Sequence, residues 1–191
     1  MIDGKEALQR LIDGNRRYIK QKSSHPNQAM ERRREIVEGQ NPFAVIIGCS
    51  DSRVPPEIIF DQGLGDLFVV RVAGNILDDV VLGSVEYAVE HLGVKLIVVL
   101  GHTKCGAVTA ATKGGEPSGH TSSLMDAIKP AVERAKNQPG DLLDNAIKSN
   151  VEITVSQLKS SKPILVEHIK TGKLQVIGAI YDLVSGVVDV L

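Results

Sequence analysis

At 191 residues, with 42% hydrophobic and 24% charged residues and a net charge of −1, the chain has the composition of a globular domain able to bury a sizeable core. That balance excludes the broad field expected of a nucleic-acid or anionic-membrane binder. No apolar run is long enough to span a bilayer, and the charged start Met1-Ile2-Asp3-Gly4-Lys5-Glu6 has no apolar signal core behind it, so the cytoplasm is the expected location.

Residues 5–20 place Leu8, Leu11, Ile12 and Tyr18 at helical spacing, which predicts an amphipathic helix that packs on a neighbour. A charged second helix is expected over 30–38, ended by Gly39. Residues 43–47 then read as a strand buried on both faces, as in a parallel sheet. Further strands are expected at 67–72 and 96–100, with a helix over 78–91 between them. Strand, helix and strand in that order require a right-handed crossover and parallel pairing. Helices follow over 105–112, 124–135 and 142–158, with a loop at 114–119. Strands at 174–181 and 187–191 close the chain around a turn at Ser185-Gly186. The expected fold class is α/β: a central, mostly parallel sheet flanked by helices, in one domain of residues 1–191. Residues 1–38 form an N-terminal helical arm and 39–191 the core.

The only two cysteines each follow an apolar run: Cys49 in Gly48-Cys49-Ser50-Asp51-Ser52-Arg53, and Cys105 in Gly101-His102-Thr103-Lys104-Cys105-Gly106. In open parallel sheets ligands bind beyond the carboxyl ends of strands, so Cys49, His102 and Cys105 should meet there. Two thiolates and an imidazole suit zinc, and three protein ligands are what a catalytic zinc site keeps. One disulfide, or two unrelated buried thiols, are the competing readings. Asp51 has two possible duties, to orient a zinc-bound hydroxide or to become a fourth ligand that closes the site. Arg53 bears on the choice, because its fork can hold a carboxylate off the metal. A plain loop salt bridge is the alternative for this pair.

These two motifs together resemble the β-class carbonic anhydrases, most closely from Gln40 to Gly106. The resemblance implies Zn²⁺ held by Cys49, His102 and Cys105, with Asp51 and Arg53 as a catalytic pair. It implies four parallel strands plus one further strand, and a homo-oligomer, either a dimer or a dimer of dimers, whose N-terminal helix wraps over the partner. Gln40 matches a glutamine that donates to bicarbonate, and Gly106 a glycine whose amide faces substrate. Phe68 and Tyr87 match pocket-lining aromatics, some contributed across the dimer interface; core packing is their alternative fate. One branch of the family has a non-catalytic bicarbonate pocket built from tryptophan, arginine and tyrosine. Arg71 and Tyr181 fit two of its positions, but Ile46 stands at the third and the chain has no tryptophan, which favours the open-site branch.

The activity expected is zinc-dependent, reversible hydration of CO₂ to bicarbonate and a proton. A zinc hydrolase acting on CS₂-like substrates and a non-catalytic zinc-binding assembly protein are the alternatives. His25, His91, His120 and His168 are equivalent candidates for moving the proton, and surface positions are their ordinary explanation. CO₂ or bicarbonate and further copies of the chain are the only partners implied, with no nucleic acid and no membrane.

Overall fold

The computed structural model describes residues 2–115 and 117–191, so Met1 in the expected arm and Glu116 in the expected loop lie outside the described residues. Five strands, β1 (Ala44–Gly48), β2 (Leu67–Arg71), β3 (Leu96–His102), β4 (Gln175–Tyr181) and β5 (Val188–Val190), form one sheet in the order β2-β1-β3-β4-β5. The first four run parallel and β5 pairs antiparallel with β4. β1 and β3 lie inside the sheet and every residue in them is buried, which is why they read as unbroken apolar runs. β2 is an edge strand and only half-buried.

Among the described residues, eight α-helices surround the sheet: α1 (Gly4–Ile19), α2 (Met30–Glu35), α3 (Pro56–Ile59), α4 (Asp79–Glu90), α5 (Gly106–Lys113), α6 (Thr121–Ala135), α7 (Leu142–Ser160) and α8 (Ile164–Lys170). Two of them, α3 and α8, are absent from the sequence reading. Pro55-Pro56 reads as a breaker, yet Pro56 takes the first helical position, where a missing N–H costs nothing and the fixed φ already suits a helix. The second helix stops at Glu35 rather than 38 and buries none of its residues, so no packing extends it. In the third strand the pairing runs on through Gly101 and His102, because β4 continues alongside as far as Tyr181.

Two apolar layers enclose the sheet. One gathers α1, α3, α5, α6 and part of α7 around Ile46, Val98 and Leu100; the other gathers α4, α8 and the rest of α7 around Val45, Ile47, Ile97 and Val99. Helix α7 presses close to the sheet: a Cβ at Gly101 or Gly178 would come within 2.5 or 2.7 Å of the Val151 side chain. Only glycine permits that approach.

Helix α1 is fastened to the core by apolar contacts and by two buried carboxylates, Asp61 and Asp66. Asp3 caps α1 by accepting from the Glu6 amide at 2.9 Å, while Ala7 and Leu11 face the core. On its other side Arg10 lies over the Phe43 ring, 4.2 Å from the centroid, and reaches Asp66 at 3.1 Å. Arg17 pairs with Asp61, whose carboxylate also accepts from the Ser24 amide, the Ser24 hydroxyl and the His25 amide. Burial alone would raise the Asp61 pKa, but these donors outweigh it and hold the carboxyl at about 2.

Because the unfolded chain takes up that proton near the ordinary value of about 3.9, Asp61 contributes its full stability above that pH and loses it toward its folded value. Asp61→Asn is expected to destabilise the protein by about 2–3 kcal/mol at neutral pH, and to flatten the acid limb of stability between roughly pH 4 and 2. Urea denaturation at a series of pH values reads both effects.

Candidate metal centre

Parallel pairing aligns Gly48 with Leu100, so the first residue beyond β1, Cys49, arrives beside the last turn of β3. His102 closes that strand. The chain then reverses within Thr103 and Lys104, the latter in the left-handed region at φ 55°, and returns Cys105 as the N-cap of α5. Cys105 is therefore delivered by a tight turn and a cap, not by the first turn of a helix, which is where spacing alone had put it.

Cys49, His102 and Cys105 are all buried, and their donor atoms lie within 4.8 Å of one another. The sulfurs are 3.9 Å apart. Two thiolates at about 2.3 Å from a tetrahedral ion stand about 3.8 Å apart, so the separation fits zinc and is far too long for a disulfide. Both cysteines are free. His102 Nδ1 lies 2.9 Å from the Thr103 carbonyl, which can only accept, so Nδ1 carries the proton and Nε2 presents its lone pair. That Nε2 is buried and has no hydrogen-bond partner. A buried imidazole nitrogen aimed beside two thiols is the unmet valence that a metal ion satisfies. The donor set fits Zn²⁺.

Sulfur electrostatics agree. The hydrogen bond from Cys105 is the main cause that lowers the Cys49 pKa, with help from His102 and from the Asp51 and Gly74 amides; burial opposes them, and the thiol ends at about 4. The Cys105 thiol is pushed up by its bond to Cys49 and by burial. The pair thus sheds one proton readily and holds the second, because two adjacent thiolates repel. A dication between them removes that penalty. The amides that touch Cys49 Sγ stand at 3.4 Å (Asp51) and 3.3 Å (Gly74). Gly74 has φ 72°, and a Cβ there would meet Ile128 at 2.8 Å, so the contact requires glycine. Sequence reading missed this N–H donor; a glycine two positions beyond a strand end was its only signal.

Asp51 stands just outside this group. Arg53 grips it bidentately, Nε to Oδ1 at 2.9 Å and a terminal nitrogen to Oδ2 at 2.7 Å, and the Arg53 amide adds a third bond at 3.0 Å. The Arg53 side chain, foremost, holds the Asp51 carboxyl well below the usual carboxylate range. Asp51 Oδ2 lies 3.9 Å from His102 Nε2 and so borders the group without joining it. Arg53 also reaches the Lys104 carbonyl at 3.4 Å, tying the loop after β1 to the turn after β3. Gly106 opens α5, where a first-turn amide has no partner within the helix, and the space beside its α-carbon is open.

Three residues matched to the pocket stand elsewhere in the chain's own frame. Gln40 precedes β1, and the strand carries its amino end about 13 Å from its carboxyl end. Phe68 pairs with Val45, three positions back from Arg71 and so about 10 Å from the sheet's carboxyl edge. The Tyr87 ring is half-exposed on α4, 6.4 Å from the Phe68 ring. Nor does a hydrogen bond join Arg71 to Tyr181 among the described residues: Arg71 donates to loop carbonyls, and the Tyr181 hydroxyl meets that of Tyr18 at 3.2 Å. His168 pairs with Glu90 at 3.1 Å, and none of His25, His91 and His120 joins the metal group.

A soft three-donor group at the carboxyl edge of a parallel sheet, bordered by an arginine-held carboxylate, defines a metalloenzyme of the α/β class. Comparison with known proteins narrows this. The sequence profile of the carbonic anhydrase family matches residues 44–188. Carbonic anhydrase of Mycolicibacterium smegmatis is 41% identical over 187 residues, covering 96% of this chain and 91% of that protein. Carbonic anhydrase 2 of Mycobacterium tuberculosis is 43% identical over 184 residues, 94% of this chain and 89% of that one. A tetrameric β-carbonic anhydrase from the ascomycete Sordaria macrospora superposes with a TM-score of 0.78 at 28% identity, covering 97% of each chain. The chain belongs to the β-class carbonic anhydrase family.

Removing one thiol leaves no spare soft donor in reach. Cys49→Ala is expected to purify with less than a tenth of the zinc of the parent protein, measured by elemental analysis after dialysis against a weak chelator.

Proposed function

We propose that this chain is a zinc-dependent carbonic anhydrase, hydrating CO₂ reversibly to bicarbonate and a proton, with Cys49, His102 and Cys105 as the metal ligands. The observation that carries this reading is Asp51, gripped bidentately by Arg53 at the border of the donor group and not within it. Zinc held there supplies Lewis acidity that makes water nucleophilic near neutral pH. Asp51 does the positioning. Its remaining lone pairs accept from the attacking water and fix its direction, and because Arg53 depresses its pKa it stays an acceptor and does not keep the proton. The Gly106 amide, at the positive end of α5, offers a donor to the developing bicarbonate oxygen. Neither a CS₂-type hydrolase nor a non-catalytic assembly protein is favoured, since the relatives carry the name carbonic anhydrase and Asp51 is held as a free acceptor.

The same geometry favours the open site over the regulated one. Arg53 keeps Asp51 from becoming a fourth ligand, and Arg71 and Tyr181 are each engaged with other partners. Two buried free thiols match a reducing compartment, which supports the cytoplasm; no helix among the described residues is long and apolar enough to cross a membrane. We read residues 1–191 as one domain with an arm over 1–38, working as a homo-oligomer. Gln40, which precedes β1, and Phe68, in the edge strand β2, stand too far along the strands to serve their own chain's metal group, and the Tyr87 ring lies beside Phe68, 6.4 Å away. A second copy packed on that edge brings them to the partner's site.

Arg53→Ala is expected to lose about 10²-fold in kcat/KM for CO₂ hydration by stopped flow while keeping its zinc; parent-like turnover would remove Asp51 and Arg53 from the mechanism. Gln40→Ala and Asp51→Asn proteins, each impaired alone, are expected to recover activity when unfolded and refolded together, because each mixed dimer then owns one complete site. No recovery in verified mixed dimers would return Gln40 to its own chain.

A further inference from the structure

Arg71 is the last residue of β2, where the ladder to β1 runs out. The backbone pairing ends with Gly48 against Arg71 and one more bond, from the Val72 amide to the Gly48 carbonyl at 3.1 Å. Beyond that point the segment Cys49–Asp51 has left the sheet, and its carbonyls have no strand to accept from. Beside the Val54 amide, which reaches the Asp51 carbonyl at 3.1 Å, the Arg71 side chain supplies donors. Its Nε donates to the Cys49 carbonyl at 2.9 Å, and a terminal nitrogen donates to the Asp51 carbonyl at 2.6 Å. One planar fork therefore spans two alternate carbonyls of the three-residue segment that carries both the first thiolate and the carboxylate. No carboxylate pairs with Arg71 among the described residues, so its charge is spent on these two dipoles and on the anions behind them.

We propose that Arg71 is a positioning residue that sets the separation of the Cys49 thiolate from the Asp51 carboxylate. The proposal rests on the zinc reading above. A rigid guanidinium fixes both carbonyls at once, which a point charge on a flexible stem does not. With the two carbonyls pinned, the torsions between Cys49 and Asp51 are held. The Asp51 amide then stays 3.4 Å from Cys49 Sγ, and the Asp51 carboxylate stays turned toward Arg53. Arg53 restrains the carboxylate at its tip; Arg71 restrains the backbone that carries it. Both are needed, because a carboxylate two residues from a metal-binding thiolate can otherwise swing onto the ion. In the bicarbonate pocket that the sequence resemblance suggested, this guanidinium would be free to meet an anion. Here one edge of its fork, Nε and one terminal nitrogen, is taken by the metal loop.

The test compares Arg71→Ala and Arg71→Lys with the parent protein by two readouts that need no turnover: zinc affinity by chelator competition, and the visible absorption of the Co²⁺-substituted protein. Expected for Arg71→Ala is zinc affinity weaker by about 10–100-fold, the range for removing a partner that orients a ligand, with altered cobalt band positions and intensities. Arg71→Lys, which keeps the charge but only one prong, is expected to fall between. Zinc affinity within threefold of the parent and an unchanged cobalt spectrum in Arg71→Ala would overturn the proposal. So would a lower melting temperature of the metal-free protein with the parent's cobalt spectrum, which is what a merely structural role produces. Should Arg71→Ala fail to fold, Arg71→Lys decides by the same criteria. Failure of the parent itself to take up one zinc per chain would instead overturn the zinc reading.

Discussion

Parallel pairing of β1 with β3, with Gly48 set against Leu100, is the constraint on which the metal group depends. Cys49 leaves one strand one position short of where His102 ends the other, so two residues remote in sequence meet without any adjustable loop between them. Register in a sheet is quantised: a slip of one residue turns every side chain to the opposite face. Here both faces of both strands are buried, so any slip would move large apolar side chains between two differently shaped layers. The core that makes the fold stable is thus also what places the first thiolate against the imidazole. The second thiolate depends on something more local, the left-handed turn at Lys104.

Charge management accounts for most of what surrounds the donors. With both thiols ionised, the two sulfurs and Asp51 would put three negative charges within a few ångströms, most of it out of water. Cations and dipoles answer each of them. Arg53 takes Asp51, amides of Asp51 and Gly74 point at Cys49, and α5 begins with its positive end at Cys105. What is left unanswered is His102 Nε2 and the repulsion between the sulfurs, and these are the two demands that one dication meets together. The Thr103 carbonyl that sets the imidazole tautomer is itself held in place. The Thr103 amide donates to the Tyr181 carbonyl at 3.0 Å, and its hydroxyl donates to Asp182 at 3.3 Å and accepts from the Leu183 amide at 3.0 Å. The end of β4, which pairs with His102 through Tyr181, therefore also fixes the carbonyl that orients the imidazole.

The β2 edge gives the molecule its asymmetry. Strands β1 and β3 are sealed on both faces, whereas β2 is half-buried and Tyr87 and Val80 are exposed on α4 beside it. An open sheet edge with apolar residues beside it is a surface that proteins ordinarily cover. The proposed service of Gln40, Phe68 and Tyr87 to a partner's site accounts both for their place away from their own metal group and for the bare edge.

Much of this was legible in the residues. Buried strands announced themselves as unbroken apolar runs, helices by their spacing, and the donor set by two cysteines each placed just past such a run. Helix α3 was not legible, because Pro55-Pro56 signals a stop as readily as a start, and α8 was too short for its periodicity to register. The Asp51 and Arg53 pair could be named from the sequence, but whether Asp51 would bind the metal or the guanidinium could not. That choice depends on a difference of an ångström or two, set by the turn at Arg53 and by the Arg71 fork reaching over from another strand. The sequence by itself determined which atoms are available for chemistry, since composition and local pattern decide strand, helix and donor type. Only the tertiary structure decided which of those atoms meet and which are held apart, because those distances are fixed by sheet register and by cross-strand hydrogen bonds between residues that no local pattern connects.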